Sequence, residues 1–239
     1  MIRSLFSALL DIWLPRACHG CGLPLTVDSE RSLCDTCLAS VEYVCSPSCI
    51  RCGAGLSRDA GDRDRLCAQC LQHPPPFDSA RSVLFYREPA SSLLLRLKFQ
   101  ADTRATAPIS ELIDQAPPTC FTSYDHVMPV PLHPARLRSR GLNQALILAR
   151  LMFADERSKI AATGLIRLRN TVPQTSLSGR SRRKNLRGVF ATNPRTDVAD
   201  KDVCVVDDVF TTGTTVSECA KTLKRAGARR VDVWTFARA

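Results

Sequence analysis

The segment Val203-Cys204-Val205-Val206-Asp207-Asp208-Val209-Phe210-Thr211-Thr212-Gly213-Thr214-Thr215 constrains the fold more than any other part of the chain. An apolar, β-branched run ends in two adjacent acids. A hydroxyl-rich loop with one glycine follows, and then a helix-like stretch from Val216 to Arg225. This is the pattern of a buried strand that delivers charge to its carboxyl end, where open α/β sheets bind ligands. The loop offers backbone N–H groups and hydroxyls at a helix N-terminus, which suits phosphate. Acids for hydroxyls beside a loop for phosphate predict a sugar-phosphate ligand. A Walker-B-like strand of a nucleotide hydrolase would need a G-x-x-x-x-G-K-[ST] loop, and no Gly-Lys pair occurs in the sequence. A plain strand–turn–helix leaves the two acids unexplained, because charge at a buried strand end is costly without a partner.

The cysteines divide the chain. Of 12, nine lie between Cys18 and Cys70, and only Cys120, Cys204 and Cys219 come later. Eight of the nine form C-x-x-C knuckles: Cys18/Cys21, Cys34/Cys37, Cys49/Cys52 and Cys67/Cys70. Each knuckle aims two thiolates at one point, and two knuckles complete a tetrahedral zinc site. Gly22 and Gly53 follow two of them directly, as a tight turn requires. Sequential pairing is the simplest, with Cys18, Cys21, Cys34 and Cys37 on one ion and Cys49, Cys52, Cys67 and Cys70 on another. The spacing leaves interleaved pairing open. Cys45, His19 and His73 are spare donors and read as bystanders. Cys204 and Cys219 read as small core residues. A region this small builds little core, so one or two structural zinc ions would supply its folding energy.

The chain has 239 residues and a net charge of +10. That length allows one large or two modest domains, and the charge favours anionic partners. Near the N-terminus, Ile2, Leu5, Phe6, Leu9 and Trp13 share one helical face. Asp11 interrupts the apolar run, no small-residue cleavage site follows, and the segment is too short to span a bilayer. The expectation is an amphipathic helix over 1–17 packed on the protein, with no stable membrane insertion. The cytoplasm follows as the compartment, since thiols stay reduced there. A double zinc-knuckle domain is expected over 18–75, closed by the stiff Pro74-Pro75-Pro76, and an α/β domain over 77–239.

Within that second domain, Ser82 to Tyr86 reads as a strand, and Pro89–Phe99 and Thr106–Gln115 as helices. His126-Val127-Met128-Pro129-Val130-Pro131-Leu132-His133-Pro134 reads as a short strand entering a proline-fixed turn. Arg136, Arg138 and Arg140 follow, then Gly141-Leu142-Asn143-Gln144 and a helix to about Met152. Arginines around a rigid loop at a strand end suit a strongly anionic group. Arg167 to Leu177, with Thr171-Val172-Pro173-Gln174, and Arg182-Arg183-Lys184-Asn185 to Phe190 read together as a basic mobile loop.

The strand–acid–acid–loop pattern resembles the ribose-5-phosphate signature of type I phosphoribosyltransferases. The Pro-Val-Pro, Arg-Gly-x-Asn-Gln, Thr-x-Pro-Gln and Arg-x-x-Asn segments, in this order behind zinc knuckles, resemble the competence protein F (ComF/GntX) family in particular. Gln100 departs from it, standing where a glycine is common after Leu97-Lys98-Phe99. The resemblance implies a type I phosphoribosyltransferase-like parallel sheet flanked by helices, preceded by a small zinc-ribbon domain. It implies that Asp207 and Asp208 hold the ribose of phosphoribosyl pyrophosphate (PRPP), and that Thr211, Thr212, Gly213, Thr214 and Thr215 hold its 5-phosphate. It further implies that Arg136, Arg138 and Arg140, with Gln174, Arg182 and Arg183 of the loop, face the pyrophosphate, which carries Mg2+. The role implied is in DNA uptake and natural transformation, with single-stranded DNA and DNA-uptake proteins as further partners. A PRPP-dependent transferase and a non-catalytic DNA-binding or docking factor that keeps the fold both satisfy these motifs. Aromatic residues, at 6%, form no evident stacking platform for single strands.

Overall fold

The computed structural model describes residues 16–26, 30–57, 59, 61–117, 123–171, 186 and 188–239. The amphipathic segment expected over 1–17 falls outside them except for Arg16 and Ala17.

The apolar run identified in the sequence becomes β5 (Asp202–Phe210), and Val203 to Val206 are fully buried. It pairs in parallel with β6 (Arg230–Arg238) on one side and β2 (His126–Pro129) on the other. β1 (Ser79–Phe85) adds to the far side of β6, giving the parallel order β1-β6-β5-β2. A smaller antiparallel pair joins β3 (Leu165–Arg167) to β4 (Phe190–Thr192).

Side chains alternate across the strands, and each face of the sheet has its own helical layer. Val203, Val205, Val231 and Val233 pack with Val216, Cys219, Ala220 and Leu223 of α7 (Thr214–Arg225). Cys204, Val206, Trp234 and Phe236 face the other layer. That layer comprises α6 (Gln144–Met152), α3 (Ala90–Phe99) and α4 (Thr106–Asp114), with Leu148, Leu93, Leu97, Ile109 and Leu112 fully buried. Each such aliphatic side chain contributes about 1.5–3 kcal/mol on burial. Burial drives the thiols of Cys204 and Cys219 well above the ordinary cysteine pKa, in keeping with their reading as core residues.

The cysteine-rich region folds around two short helices, α1 (Asp35–Ala39) and α2 (Ala68–Gln72), capped by the sulfurs of Cys34 and Cys67. It lies directly on the sheet. Cys18 and Leu33 enter the core under α3 and α4, whereas Cys49, Cys52 and Cys70 enter the core under α7. Val44 N donates to Val83 O (3.1 Å), Phe85 N to Glu42 O (2.8 Å) and Ala80 N to Arg51 O (2.7 Å). The ribbon backbone thereby covers the β1 edge, which would otherwise present unpaired groups. Gly53 makes the approach possible: at φ +70 its missing Cβ would fall 2.5 Å from Ala80 O. The proline triplet is tied down as well, since Arg51 Nη2 donates to Pro75 O (3.2 Å). Composition marks a boundary at that point, but backbone docking of this kind leaves no compositional trace.

Candidate functional site

β5 carries the two acids out of the core at its carboxyl end. Asp207 Oδ1 accepts from the backbone N–H of Asp208 (2.9 Å), and Asp208 Oδ1 from that of Val209 (2.8 Å). The buried Asp208 also pairs through Oδ2 with Lys98 Nζ of α3 at 3.0 Å and accepts from Gln144 Nε2 at 3.4 Å. Burial, then the adjacent Asp208 charge, pushes the Asp207 carboxyl up to about 8, with Lys98 pulling the other way. The loop from Thr211 to Thr215 turns beyond the acids. Gly213 is its left-handed residue (φ +68) and the N-cap of α7, and Thr212 Oγ1 and Thr214 Oγ1 lie 2.8 Å apart. The result is an exposed hydroxyl-bearing turn on the positive end of a 12-residue helix.

The Pro129-Val130-Pro131 turn leaves β2 beside those acids. His133 caps α5 (Pro134–Arg140), its Nδ1 accepting from Ala135 N at 3.2 Å. Asn143 caps α6 and donates from Nδ2 to Val130 O (3.2 Å), tying the helix start to the turn. Gln144, also buried, reaches Asp208 and leaves its Oε1 without a partner among the described residues. Arg136, half-buried, donates to Thr171 O. Arg167 of β3 is 9% exposed. It bonds Thr171 Oγ1, lies over the Phe190 ring at 5.5 Å, and its Nε has no partner among the described residues. Burial, and then the charge of Arg136, lowers its pKa, while burial and the charge of Arg140 do the same to Arg136. Three guanidiniums therefore gather beside the acid pair, as they would around a polyanion.

Of the arginines expected here, Arg136 and Arg140 join this group. Arg138 is exposed and stands outside it, two residues from each along a short helix and so on its opposite side. Gln174, Arg182 and Arg183 lie outside the described residues. Lys98, Gln144 and Arg167 received no role from the motifs. Each carried a local signal: a lysine within the apolar Leu97-Lys98-Phe99, a glutamine opening an apolar helix, and an arginine in strand phase with the buried Leu165.

The eight knuckle sulfurs form two sets, Cys18/Cys21/Cys34/Cys37 and Cys49/Cys52/Cys67/Cys70, each with all sulfurs within 4.8 Å of one another. This is the sequential grouping. Cys21 and Cys34 Sγ stand 3.7 Å apart and Cys52 and Cys67 Sγ 3.8 Å. A tetrahedron with 2.3 Å zinc–sulfur bonds has an edge of about 3.8 Å. Backbone N–H groups support the anionic sulfurs: Gly20 and Cys34 donate to Cys18 Sγ (3.4 and 3.2 Å), and Cys52 and Cys67 to Cys49 Sγ (3.5 and 3.3 Å). Burial opposes ionisation, yet these donors bring Cys18 and Cys49 down to about 6. Both clusters fit structural zinc. Cys45 is exposed and outside them, and His19 Nδ1 faces Arg96 Nη2 instead (3.2 Å).

Fold and clusters together define a zinc-ribbon protein with a phosphoribosyltransferase-type domain. Comparison with known families agrees: a double zinc ribbon domain matches residues 9–73 and a phosphoribosyl transferase domain residues 139–239. The DNA utilization protein YhgH of Salmonella typhi is 33% identical over 94% of this chain and 98% of its own. Competence protein F of Haemophilus influenzae is 30% identical over 88% and 92%, and competence protein ComFC of Streptococcus pneumoniae 24% identical over 90% and 92%. The chain belongs to the competence protein F family. No helix among the described residues is long and apolar enough to cross a membrane.

Proposed function

We propose that this protein binds PRPP, or a closely related sugar phosphate, and transfers its phosphoribosyl group. The observation that carries the reading is the juxtaposition at one strand end: Asp207 and Asp208, the Thr211–Thr215 turn on α7, and Arg136, Arg140 and Arg167 alongside. The acids hold the ribose hydroxyls while the bond from C1 to pyrophosphate loosens. The turn holds the 5-phosphate through backbone N–H groups. The arginines stabilise the departing pyrophosphate. Mg2+ is expected to arrive with that group, held by phosphate oxygens and waters more than by protein, and when bound it neutralises departing charge. Lys98 keeps Asp208 paired until the ribose arrives.

The relatives' names place the work of the family in competence and DNA utilization, and we assign this chain a cytoplasmic role in handling incoming DNA. A second reading, a non-catalytic factor that binds single-stranded DNA or docks uptake proteins, draws on the +10 charge. Calorimetric titration of the zinc-loaded protein with PRPP and Mg2+, beside the Asp207→Asn/Asp208→Asn double variant, separates the two. Binding lost in the variant supports the transferase reading. A folded wild type that ignores PRPP but binds oligonucleotide with a steep salt dependence supports the second.

A further inference from the structure

Gln144 is a buried polar side chain that the free protein only half satisfies. It opens α6 and is 5% exposed. Starting the helix is not its task, because Asn143 Oδ1 caps α6 by accepting from Ala145 N at 3.1 Å. Its Nε2 donates to Asp208 Oδ2 at 3.4 Å, and its Oε1 has no partner among the described residues. Chemistry sets the direction of the amide. A carboxylate paired with an ammonium only accepts, so the amide nitrogen must face Asp208, and the oxygen is left to find a donor elsewhere. A buried acceptor without a donor carries a desolvation cost that nothing in the free protein offsets. Asp208 itself is held from three directions. Its Oδ1 accepts from Val209 N (2.8 Å), and its Oδ2 takes Lys98 Nζ (3.0 Å) beside Gln144. Lys98, with 31% of its side chain exposed, is the member of this group with room to move.

The layout of the site decides which sugar hydroxyl comes next to Gln144. The 5-phosphate end of the sugar belongs to the Thr211–Thr215 turn on α7. The C1 end points toward Arg136 and Arg140, on α5 after β2. Between them the carbons run C4, C3, C2, so the 3-hydroxyl lies nearer the turn and the 2-hydroxyl nearer the arginines. Gln144 stands on the arginine side. Only Gly141, Leu142 and Asn143 separate it from Arg140, and Asn143 Nδ2 fastens the start of α6 to the proline turn at Val130 O (3.2 Å). We infer that Gln144 is the residue that reads the sugar: its Oε1 accepts from the 2-hydroxyl of a ribose 5-phosphate, so the site takes ribose phosphates and rejects 2-deoxyribose phosphates.

This inference rests on the phosphoribosyl reading above and narrows its substrate class. Each sugar hydroxyl has one proton to donate. The 3-hydroxyl gives its proton to the acids. The 2-hydroxyl gives its own to Gln144 Oε1, and its oxygen accepts from Lys98 Nζ as that side chain shifts. A 2-deoxy sugar leaves Gln144 Oε1 as it was, buried and without a donor. A site that bonds a substrate hydroxyl rejects the analogue lacking it for this reason. Sugar phosphates released from DNA lack the 2-hydroxyl, and the site would pass them over.

Calorimetry on the zinc-loaded full chain tests this with ribose 5-phosphate and its 2-deoxy and 3-deoxy analogues as probes. Wild type should bind ribose 5-phosphate at least about tenfold tighter than 2-deoxyribose 5-phosphate, a difference of about 1.4 kcal/mol. Gln144→Met, close in shape but without the amide, should bring that ratio to within about twofold of unity, since the acceptor is gone. Gln144→Asn, which keeps an amide but draws it back by one methylene, should do the same and serves if methionine disturbs the packing of α6. In both variants the ratio of ribose to 3-deoxyribose 5-phosphate should stay at its wild-type value, because the acids set it. Loss of both ratios together, equal binding of the ribose and 2-deoxyribose phosphates by wild type, or a 2-deoxy ratio untouched by both variants would overturn the inference while the phosphoribosyl reading stands. Failure of ribose 5-phosphate and PRPP to bind at all would bring down the reading beneath it.

Discussion

Gly213→Ala isolates the contribution of one backbone conformation to the phosphate turn. Gly213 sits at φ +68, where a side chain costs about 1–2 kcal/mol. A Cβ built there would lie 2.7 Å from Phe210 Cζ. That ring cannot yield freely, because the edge of Phe77 and the guanidinium of Arg238 hold it from two sides. Overpacking of this kind costs about 1–3 kcal/mol. The sum is about 2–5 kcal/mol, and a chain of this size loses about 2–4 °C in Tm per kcal/mol, so thermal denaturation should show a fall of about 4–20 °C. Sugar-phosphate affinity should fall with it, since the turn must shift to admit the methyl. Phe210→Leu in the same chain should recover the steric part, and a double-mutant cycle would report a coupling of about 1 kcal/mol or more. A Gly213→Ala protein that melts within 2 °C of wild type would refute both the conformational and the steric argument.

Three further outcomes follow from the site. Burial and the neighbouring Asp208 push the Asp207 carboxyl from its ordinary 3.8 up to about 8, so the native state holds the extra proton and ligand-free stability falls as pH rises between those values. Asp207→Asn removes that dependence, and its Tm advantage should grow from pH 4 to pH 8 and then level off; a constant offset would count against the buried acid. Arg167→Met should weaken pyrophosphate binding by about tenfold to a hundredfold, as loss of a hydrogen bond to a charged group implies, with ribose 5-phosphate affinity unchanged in the same titration; equal losses for both ligands would place Arg167 elsewhere. Chelator challenge, followed by a zinc-sensitive dye, should release zinc in two phases. The cluster containing the exposed Cys21 should go before the one in which Cys49, Cys52 and Cys70 are buried, and a single phase would contradict the difference in burial.

The strand, the acids and the thiol sets were legible in the sequence because each is local. A β-branched run needs no distant information to read as a buried strand, and a C-x-x-C turn already aims both sulfurs. The sequential grouping followed the shortest chain path, with α1 and α2 each opening on the third cysteine of a set. What the sequence concealed is every relation between distant segments. Lys98 reaches Asp208 across 110 positions, and nothing near Leu97-Lys98-Phe99 announces a carboxylate. Arg138 shows the reverse: its spacing matched its neighbours, but a short helix turns it away from the side that Arg136 takes. The proline triplet looked like a spacer, although backbone hydrogen bonds, which any residue can make, fasten the ribbon to β1. A side-chain hydrogen bond, from the guanidinium of Arg238 at the end of β6 to Cys52 O, brings the second cluster to the edge of the phosphate turn. A metal bound there is therefore structural for more than its own ribbon. Its loss would free Cys52, then Arg238, then the Phe210 ring on which the turn at Gly213 rests, so zinc occupancy and sugar-phosphate affinity should move together.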